Sequence, residues 1–195
     1  MIKTFDALKY EYRNYNNIYE KIKREVKKGN LFCVQRGIYE TNPYANSFAI
    51  GNIISTPSYI SFETALSYYN LIPERVYLTM SATFRKNKTK MFKNSFGRFY
   101  YHDVNEKAFP YGVDIIELEG YQIRIASKEK ALLDTLSKKR FCESVEDLEE
   151  LLFEGMRIEK DDFDNLDKDE LIKLSKLYKG ISFANLRKML GDNDD

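Results

Sequence analysis

Residues 17–41, NIYEKIKREVKKGNLFCVQRGIYET, predict a short helix that runs directly into a tight hairpin. Asn17 followed by Glu20 fits a capping pair at the start of the helix, and Gly29 fits its end. An apolar residue recurs every four positions, as the buried face of a helix requires. The residues of this expected buried face are Ile18, Ile22 and Val26.

The opposite face of this predicted helix is strongly basic. Its cations are Lys21, Arg24, Lys27 and Lys28, and the acids among them are Glu20 and Glu25. Helix faces that contact water commonly carry Lys and Arg. The pattern alone therefore leaves open whether these cations bind a ligand or only solvent.

The hairpin that follows has a basic tip. Two apolar runs, 31–34 and 38–39, flank Gln35-Arg36-Gly37, where Gly37 can adopt the positive φ of a tight turn. A helix beside a small basic hairpin is the layout of a winged helix-turn-helix. A first helix is predicted at 4–12, and residues 14–16 leave almost no room for a middle helix, so either the module is abbreviated or it is not a winged helix. The residues predicted to contact DNA are Lys21, Arg24, Lys27, Lys28, Gln35 and Arg36.

A second basic segment spans Phe84–Asn94. Its flanks, 80–83 and 95–100, read as paired strands, which predicts that the segment is the exposed tip of a hairpin. Its cations, which we predict as a possible contact for nucleic acid or a protein partner, are Arg85, Lys86, Lys88, Lys90 and Lys93. A charged loop without a ligand is an equally good interpretation.

The remaining chain predicts a mixed α+β fold. Residues 43–56 fit a linker, with either a helix ending near Gly51 or a strand inside it. Ser61 and Ser127 each fit the N-cap of a helix. Strands are predicted at 76–81, 97–103, 113–118 and 121–126, a helical section from Ser144, and a disordered acidic tail at 191–195. We therefore predict an abbreviated winged helix at 1–48 and an α/β domain with a helical end at 55–195.

Composition favours a cytoplasmic binding protein. The chain has 195 residues, 43% of them hydrophobic, and no run approaches the ~20 apolar residues of a membrane span. An N-terminal signal region is not evident, and the two cysteines fit reduced thiols. Residues 1–140 carry 23 Lys and Arg against 14 Asp and Glu, whereas residues 141–195 carry 8 against 16. Such asymmetry suggests a protein that is oriented on a polyanion.

Catalytic patterns are missing from the sequence. There is no Gly-rich phosphate loop, no nucleophile elbow and no Cys/His ligand set, and His102 is the only histidine. Four acids on predicted strands could in principle gather a metal ion, namely Asp103, Asp114, Glu117 and Glu119. Alternating acids, however, usually mark the solvent-exposed face of a strand. We therefore predict no enzyme activity, no metal and no cofactor.

Several extended segments carry a family resemblance. They are GNLFCVQRGIYET (29–41), YISFETALSYYNLIPERVY (59–77), KMFKNSFGRFYYHDV (90–104) and FPYGVDIIELEGYQIRIASKEKALLD (109–134). Together they resemble the AbiEi-type antitoxins, the antitoxin and regulator half of type IV toxin–antitoxin systems that abort phage infection. The resemblance runs from Asn17 to about Leu177. Within it, we assign the motif at 127–134 to folding.

This resemblance implies an N-terminal winged helix that binds operator repeats in the promoter of its own operon, and a C-terminal α/β domain that carries antitoxicity. The cognate toxin would be a nucleotidyltransferase-like protein, opposed without the need for a stable complex. Two alternatives stay open: a protein- or RNA-interaction module that neutralises a toxin without binding DNA, and a stand-alone transcriptional regulator.

Overall fold

The computed structural model describes residues 1–86 and 89–192 and has the mixed α+β fold that the sequence predicts. The strands are β1 (Ile2–Thr4), β2 (Phe32–Gln35), β3 (Ile38–Glu40), β4 (Tyr59–Ile60), β5 (Thr79–Thr83), β6 (Lys90–Asn94), β7 (Gly97–Asp103), β8 (Val113–Leu118) and β9 (Tyr121–Ala126). The helices are α1 (Phe5–Glu11), α2 (Ile18–Lys27), α3 (Ser47–Ile54), α4 (Phe62–Tyr68), α5 (Lys128–Leu136), α6 (Val145–Glu149), α7 (Lys160–Asp164), α8 (Lys168–Ser175) and α9 (Ile181–Met189). A π-helical turn, Glu150–Gly155, continues α6.

The strands form two sheets. The first has the order β1-β3-β2 and is antiparallel throughout. The second has the order β6-β7-β5-β4-β9-β8, with β5 parallel to β7 and β4 parallel to β9. Strands β2 and β6 are edge strands of their sheets, and the Asn94 amide donates to the Val34 carbonyl at 2.9 Å. The two sheets are therefore in contact beside this edge.

Helix α2 begins as predicted and packs Ile18 and Ile22 inward as predicted, but its buried face is completed by Glu25 instead of Val26. The Asn17 side chain accepts from the Glu20 N–H at 3.1 Å, which confirms the predicted N-cap. Ile22 is buried, whereas Val26 is 38% exposed and Glu25 is only 7% exposed. The prediction for Val26 is wrong because Glu25 can be buried with its charge satisfied. Its carboxylate accepts from the Asn30 amide at 2.7 Å and from the Lys21 ammonium at 2.8 Å.

Helix α3 occupies the segment that we predicted to be a linker. It continues through Gly51 instead of ending there, and it is not a strand. A Cβ at Gly51 would lie 2.9 Å from Thr79 Cγ2, so the glycine allows the helix to approach β5 closely. Ile50 and Ile54 pack in one buried cluster with residues of both sheets. The limits 1–48 and 55–195 stay a prediction, and α3 spans the interval between them.

The second basic segment is not the tip of a hairpin between β5 and β7, because those strands are parallel. Instead the chain leaves β5 and forms β6 at the sheet edge. Residues 95–96 then turn it back into β7, with Asn94 opposite Gly97. Sequence reasoning missed β6 because Lys90 and Lys93 made this stretch read as a loop. Asn87 and Lys88 lie outside the described residues.

The largest core lies beneath the second sheet and holds α4, α5 and the C-terminal helices. The predicted core residues Ala131, Leu132 and Leu136 are all buried. The predicted helical section from Ser144 is confirmed, and Ser144 and Asp147 form a capping box. Of the predicted acidic tail, residues 193–195 lie outside the described part of the chain.

Candidate nucleic-acid interface

Helix α2 presents a row of cations to solvent. Arg24 and Lys27 are exposed, and neither forms an ion pair with any carboxylate in the described ranges 1–86 and 89–192. The flanking cations have only long contacts: Lys23 lies 3.8 Å from Glu20, and Lys28 lies 3.9 Å from Glu25. Exposed ion pairs at these distances contribute about 0–1 kcal/mol. The charges of this face are therefore free to meet a ligand.

Lys21 does not share this surface. Its ammonium donates to Glu25 Oε1 at 2.8 Å and lies 4.6 Å from the centre of the Tyr15 ring. The hydrogen bond to Glu25 raises the pKa of Lys21, and the Asn30 amide lowers the pKa of Glu25. Lys21 thus fastens α2 to the turn after α1. The role of Lys21 in DNA contact stays a prediction, and its ammonium is already paired with Glu25.

Lys23 is the residue that sequence reasoning missed. Its side chain is 79% exposed and lies one helical turn before Lys27. The sequence did not reveal how α2 is rotated about its axis. Because the sequence pattern places Val26 on the buried face, the solvent-exposed face is expected on a side of the helix that excludes Lys23. The aromatic ring of Tyr19, also exposed, lies one turn earlier on the same side.

The tip of the β2–β3 hairpin lies against the start of α1. Gly37 has a φ of 81°, and its carbonyl accepts from the Phe5 N–H at 2.7 Å. The Phe5 ring stacks on Tyr19 of α2 with centroids 4.9 Å apart. This chain of contacts holds the hairpin tip near the beginning of α2. Arg36 is exposed at that tip, and Gln35 beside it is half-buried.

The predicted second patch does not form one cluster. The Arg85 guanidinium is paired with Glu106 at 2.6 Å, and the Lys86 N–H donates to Asp103 Oδ2 at 2.7 Å. Lys90 and Lys93 lie on the edge strand β6, and Lys88 lies outside the described residues. Arg85 is therefore neutralised locally, and alternation along β6 places Lys90 and Lys93 on opposite sides of the sheet.

A buried polar network lies at the motif 127–134. Ser127 caps α5 as predicted, by accepting from the Lys130 N–H at 3.2 Å. Lys130 and Asp134 are both 0% exposed, and their charged atoms lie 3.4 Å apart. The Lys130 ammonium also donates to the Ala108 carbonyl at 2.7 Å and to the Tyr178 hydroxyl at 2.6 Å. Every bond of this ammonium is made inside the protein.

Three hydroxyls complete the network around Asp134. They belong to Tyr178, Ser61 and Tyr59, which donate at 2.5, 2.7 and 2.9 Å. Ser61 occupies the N-cap position of α4 as predicted, but its hydroxyl donates to Asp134 and makes no capping bond to the helix. Burial raises the pKa of Tyr59 and Tyr178 and lowers that of Lys130. The network is closed and fully bonded, as a structural element of the core should be.

The acids that we considered as metal ligands do not converge. Asp114 and Glu117 are exposed on β8, and Glu119 lies in the turn that follows. Among residues 1–86 and 89–192, no group of three or more His, Cys, Asp or Glu side chains could hold a metal ion.

Comparisons with known proteins give no family. The sequence matches no protein-family model, and no curated protein matches it significantly. Within the described part of the chain, no helix is both long and apolar enough to cross a membrane. The function therefore has to be argued from the surface itself.

Proposed function

We propose that this protein is the antitoxin of a type IV toxin–antitoxin system and represses its own operon by binding operator DNA. It would act in the cytoplasm as a non-enzymatic regulator. The antitoxin part of the proposal depends on the AbiEi-type resemblance of residues 17–177. The DNA-binding part depends on one observation, the exposed and unpaired cations of α2.

The topology of residues 1–40 supports the proposal. Strand β1 leads into two helices and then a hairpin whose returning strand β3 pairs with β1. A winged helix-turn-helix places its second helix in the major groove with the hairpin beside it. In this arrangement Lys23, Arg24 and Lys27 would contact phosphates or base edges. Arg36 would reach the adjacent backbone or minor groove.

Antitoxicity belongs, in this proposal, to the larger part of the chain that contains the second sheet. That part has its own hydrophobic core. It would oppose a nucleotidyltransferase-like toxin encoded beside it, with or without direct contact. The proposal separates the two activities, because repression needs the α2 surface and neutralisation does not.

The test of DNA binding is a fluorescence-anisotropy titration with the labelled promoter duplex of the operon. Arg24→Ala/Lys27→Ala should weaken binding by on the order of ten- to a hundredfold. The slope of log affinity against log salt should fall in magnitude by about 1.8, since two phosphate contacts are lost. Lys160→Ala/Lys179→Ala removes the same charge elsewhere and should bind as wild type. Equal affinity of the two double variants would overturn the proposal.

The test of antitoxicity is growth rescue on co-expression with the adjacent gene. The full chain with Arg24→Ala/Lys27→Ala should still rescue growth but should no longer repress a promoter reporter. Loss of rescue by this variant at normal protein levels would show that the two activities are not separable. Absence of rescue by the wild-type chain would exclude the antitoxin function and leave a stand-alone regulator.

A further inference from the structure

Strands β6 and β7 display an exposed face at the edge of the second sheet. Lys93 lies directly opposite Arg98, and Met91 lies directly opposite Tyr100. Opposed residues of an antiparallel pair project from the same side of the sheet. Alternation along β6 places Phe92 on the other side, where it packs in the cluster around α3. The four side chains therefore share one surface that α3 does not cover.

The pair Lys93 and Arg98 is not explained by stability. Like charges directly opposite each other on neighbouring strands are destabilising. Both side chains are exposed, and no carboxylate of residues 1–86 or 89–192 forms an ion pair with either. Arg85, by contrast, is paired with Glu106. The sheet edge thus keeps two adjacent, uncompensated cations.

Apolar surface accompanies these cations. Met91 is 62% exposed, and the Tyr100 ring is half-buried beside it. Further along β7, His102 lies on the same side. The Lys138 ammonium, from the turn that follows α5, donates to the Asp103 carbonyl nearby. The nearby carboxylate of Glu63 is held by Lys139 at 2.8 Å. From Arg98 to His102 the strip extends for about 13 Å at the usual rise of a strand.

We propose that this face of β6 and β7 binds single-stranded nucleic acid. Proteins that bind single strands combine cations that follow the phosphates with flat side chains on which bases stack. Lys93 and Arg98 would contact phosphates, a base would stack on the Tyr100 ring, and the exposed Met91 side chain would pack beside that base. Stacking on the Tyr100 ring requires a base that is not already stacked inside a duplex, which favours unpaired bases. The α2 surface plays no part in this binding.

The experiment titrates fluorescein-labelled oligo(rU)20 and oligo(dT)20, and a 20-base-pair duplex, with the full chain at low salt. Lys93→Ala/Arg98→Ala should weaken binding of the single strands about tenfold or more. It should also lower the magnitude of the log–log salt slope by about 1.4. Tyr100→Leu, checked by thermal melting, should weaken binding roughly five- to a hundredfold. A preference for oligo(rU) or oligo(dT) identifies RNA or DNA as the ligand.

The matched control is Lys107→Ala/Lys128→Ala. It removes two exposed charges that lie outside β6 and β7, and it should bind single strands as wild type. Arg24→Ala/Lys27→Ala should also bind them normally, so this result is independent of operator binding. Three outcomes would overturn the proposal. The first is that neither oligonucleotide binds, and the second is that the Lys93→Ala/Arg98→Ala variant and its control weaken binding equally. The third outcome is that Lys93→Ala/Arg98→Ala weakens duplex binding as much as it weakens single-strand binding.

Discussion

Helices α2 and α5 are nearly equal in length and are both rich in charge, yet they place that charge oppositely. Asn17 caps α2 and Ser127 caps α5, each through the same bond to the N–H three residues on. Helix α2 then directs most of its cations into solvent, whereas α5 buries Lys130 completely. The same local chemistry therefore produces one surface helix and one core helix.

The difference lies in the hydrogen-bond partners. The Lys130 ammonium and the Asp134 carboxylate find all their partners inside the fold. Arg24 and Lys27 form no ion pair with any residue of the described chain. A buried ion with full bonding defines the arrangement of a core, and an exposed cation without a partner is available to a ligand. Whether a charged side chain stabilises the core or is available to a ligand therefore depends on the partners that the fold places around it.

The strongest test of this comparison is Asp134→Ala. The variant leaves Lys130 buried without its carboxylate and three hydroxyls without their acceptor. Loss of one partner of a buried ion pair costs about 3–5 kcal/mol. Chemical denaturation should show this loss in the free energy of unfolding, while Lys128→Ala, an exposed position on the same helix, should melt as wild type. Near-normal stability of Asp134→Ala would mean that the network is solvated.

Alkaline pH should unfold the protein through its buried tyrosines. Burial raises the pKa of Tyr69 to about 12 and also raises that of Tyr101, whose hydroxyl donates to the Gly51 carbonyl. The folded phenols stay neutral while the unfolded ones ionise near pH 10, so stability is intact below pH 10 and is lost as pH rises towards the folded pKa. Each such group costs about 1.4 kcal/mol per pH unit.

The useful window for this measurement is above about pH 10.5. Burial lowers the pKa of Lys130, so the folded protein loses this proton at a lower pH than the unfolded chain does. Lys130 therefore adds stability as pH rises. This gain stops once the lysine of the unfolded chain is also deprotonated. Above that pH Lys130 no longer contributes, and the slope is set by the tyrosines together with Lys21, whose pKa is raised by its hydrogen bond to Glu25. Tyr101→Phe should flatten the slope of the unfolding free energy against pH, and Tyr44→Phe, at an exposed ring, should not. Equal slopes would remove Tyr101 from the account.

The smallest expected effect compares the two helix caps. Asn17→Ala and Ser127→Ala should each cost about 1 kcal/mol of helix stability. For α2, hydrogen exchange should show local fraying, because only a few buried residues, Leu8, Ile22 and Leu31, form the core beneath it. For α5 the loss should appear in global unfolding, because the helix is buried in the large core. Global destabilisation by Asn17→Ala would show that the two parts unfold as one.

Local rules predicted much of the fold. The strands at 97–103, 113–118 and 121–126 agree with the structure to the residue, because alternating side chains and the turn at 119–120 specify them. The caps at Asn17 and Ser127 follow from side-chain chemistry within one helical turn. Cationic residues of α2 were also found, apart from Lys23.

Tertiary contacts decided what the sequence could not show. Glu25 replaces Val26 on the buried face because Asn30 and Lys21 satisfy its carboxylate. The Ser61 hydroxyl donates to Asp134, which lies 73 residues away in the sequence, instead of capping α4. Strand β6 depends on pairing with β7, and a basic stretch gives no local sign of such pairing. Each failure involves a partner that is distant in sequence or a charge that the fold neutralises.

The most direct measurement of the central claim is chemical-shift mapping of the ¹⁵N-labelled protein during titration with the promoter duplex. The account predicts that shifts concentrate at residues 19–28 and at Arg36, with little change in α5. Arg24→Ala/Lys27→Ala should abolish these shifts at the same DNA concentration. Shifts confined to β6 and β7, or no shifts in α2 at saturating duplex, would contradict the assignment of α2 as the DNA-binding helix.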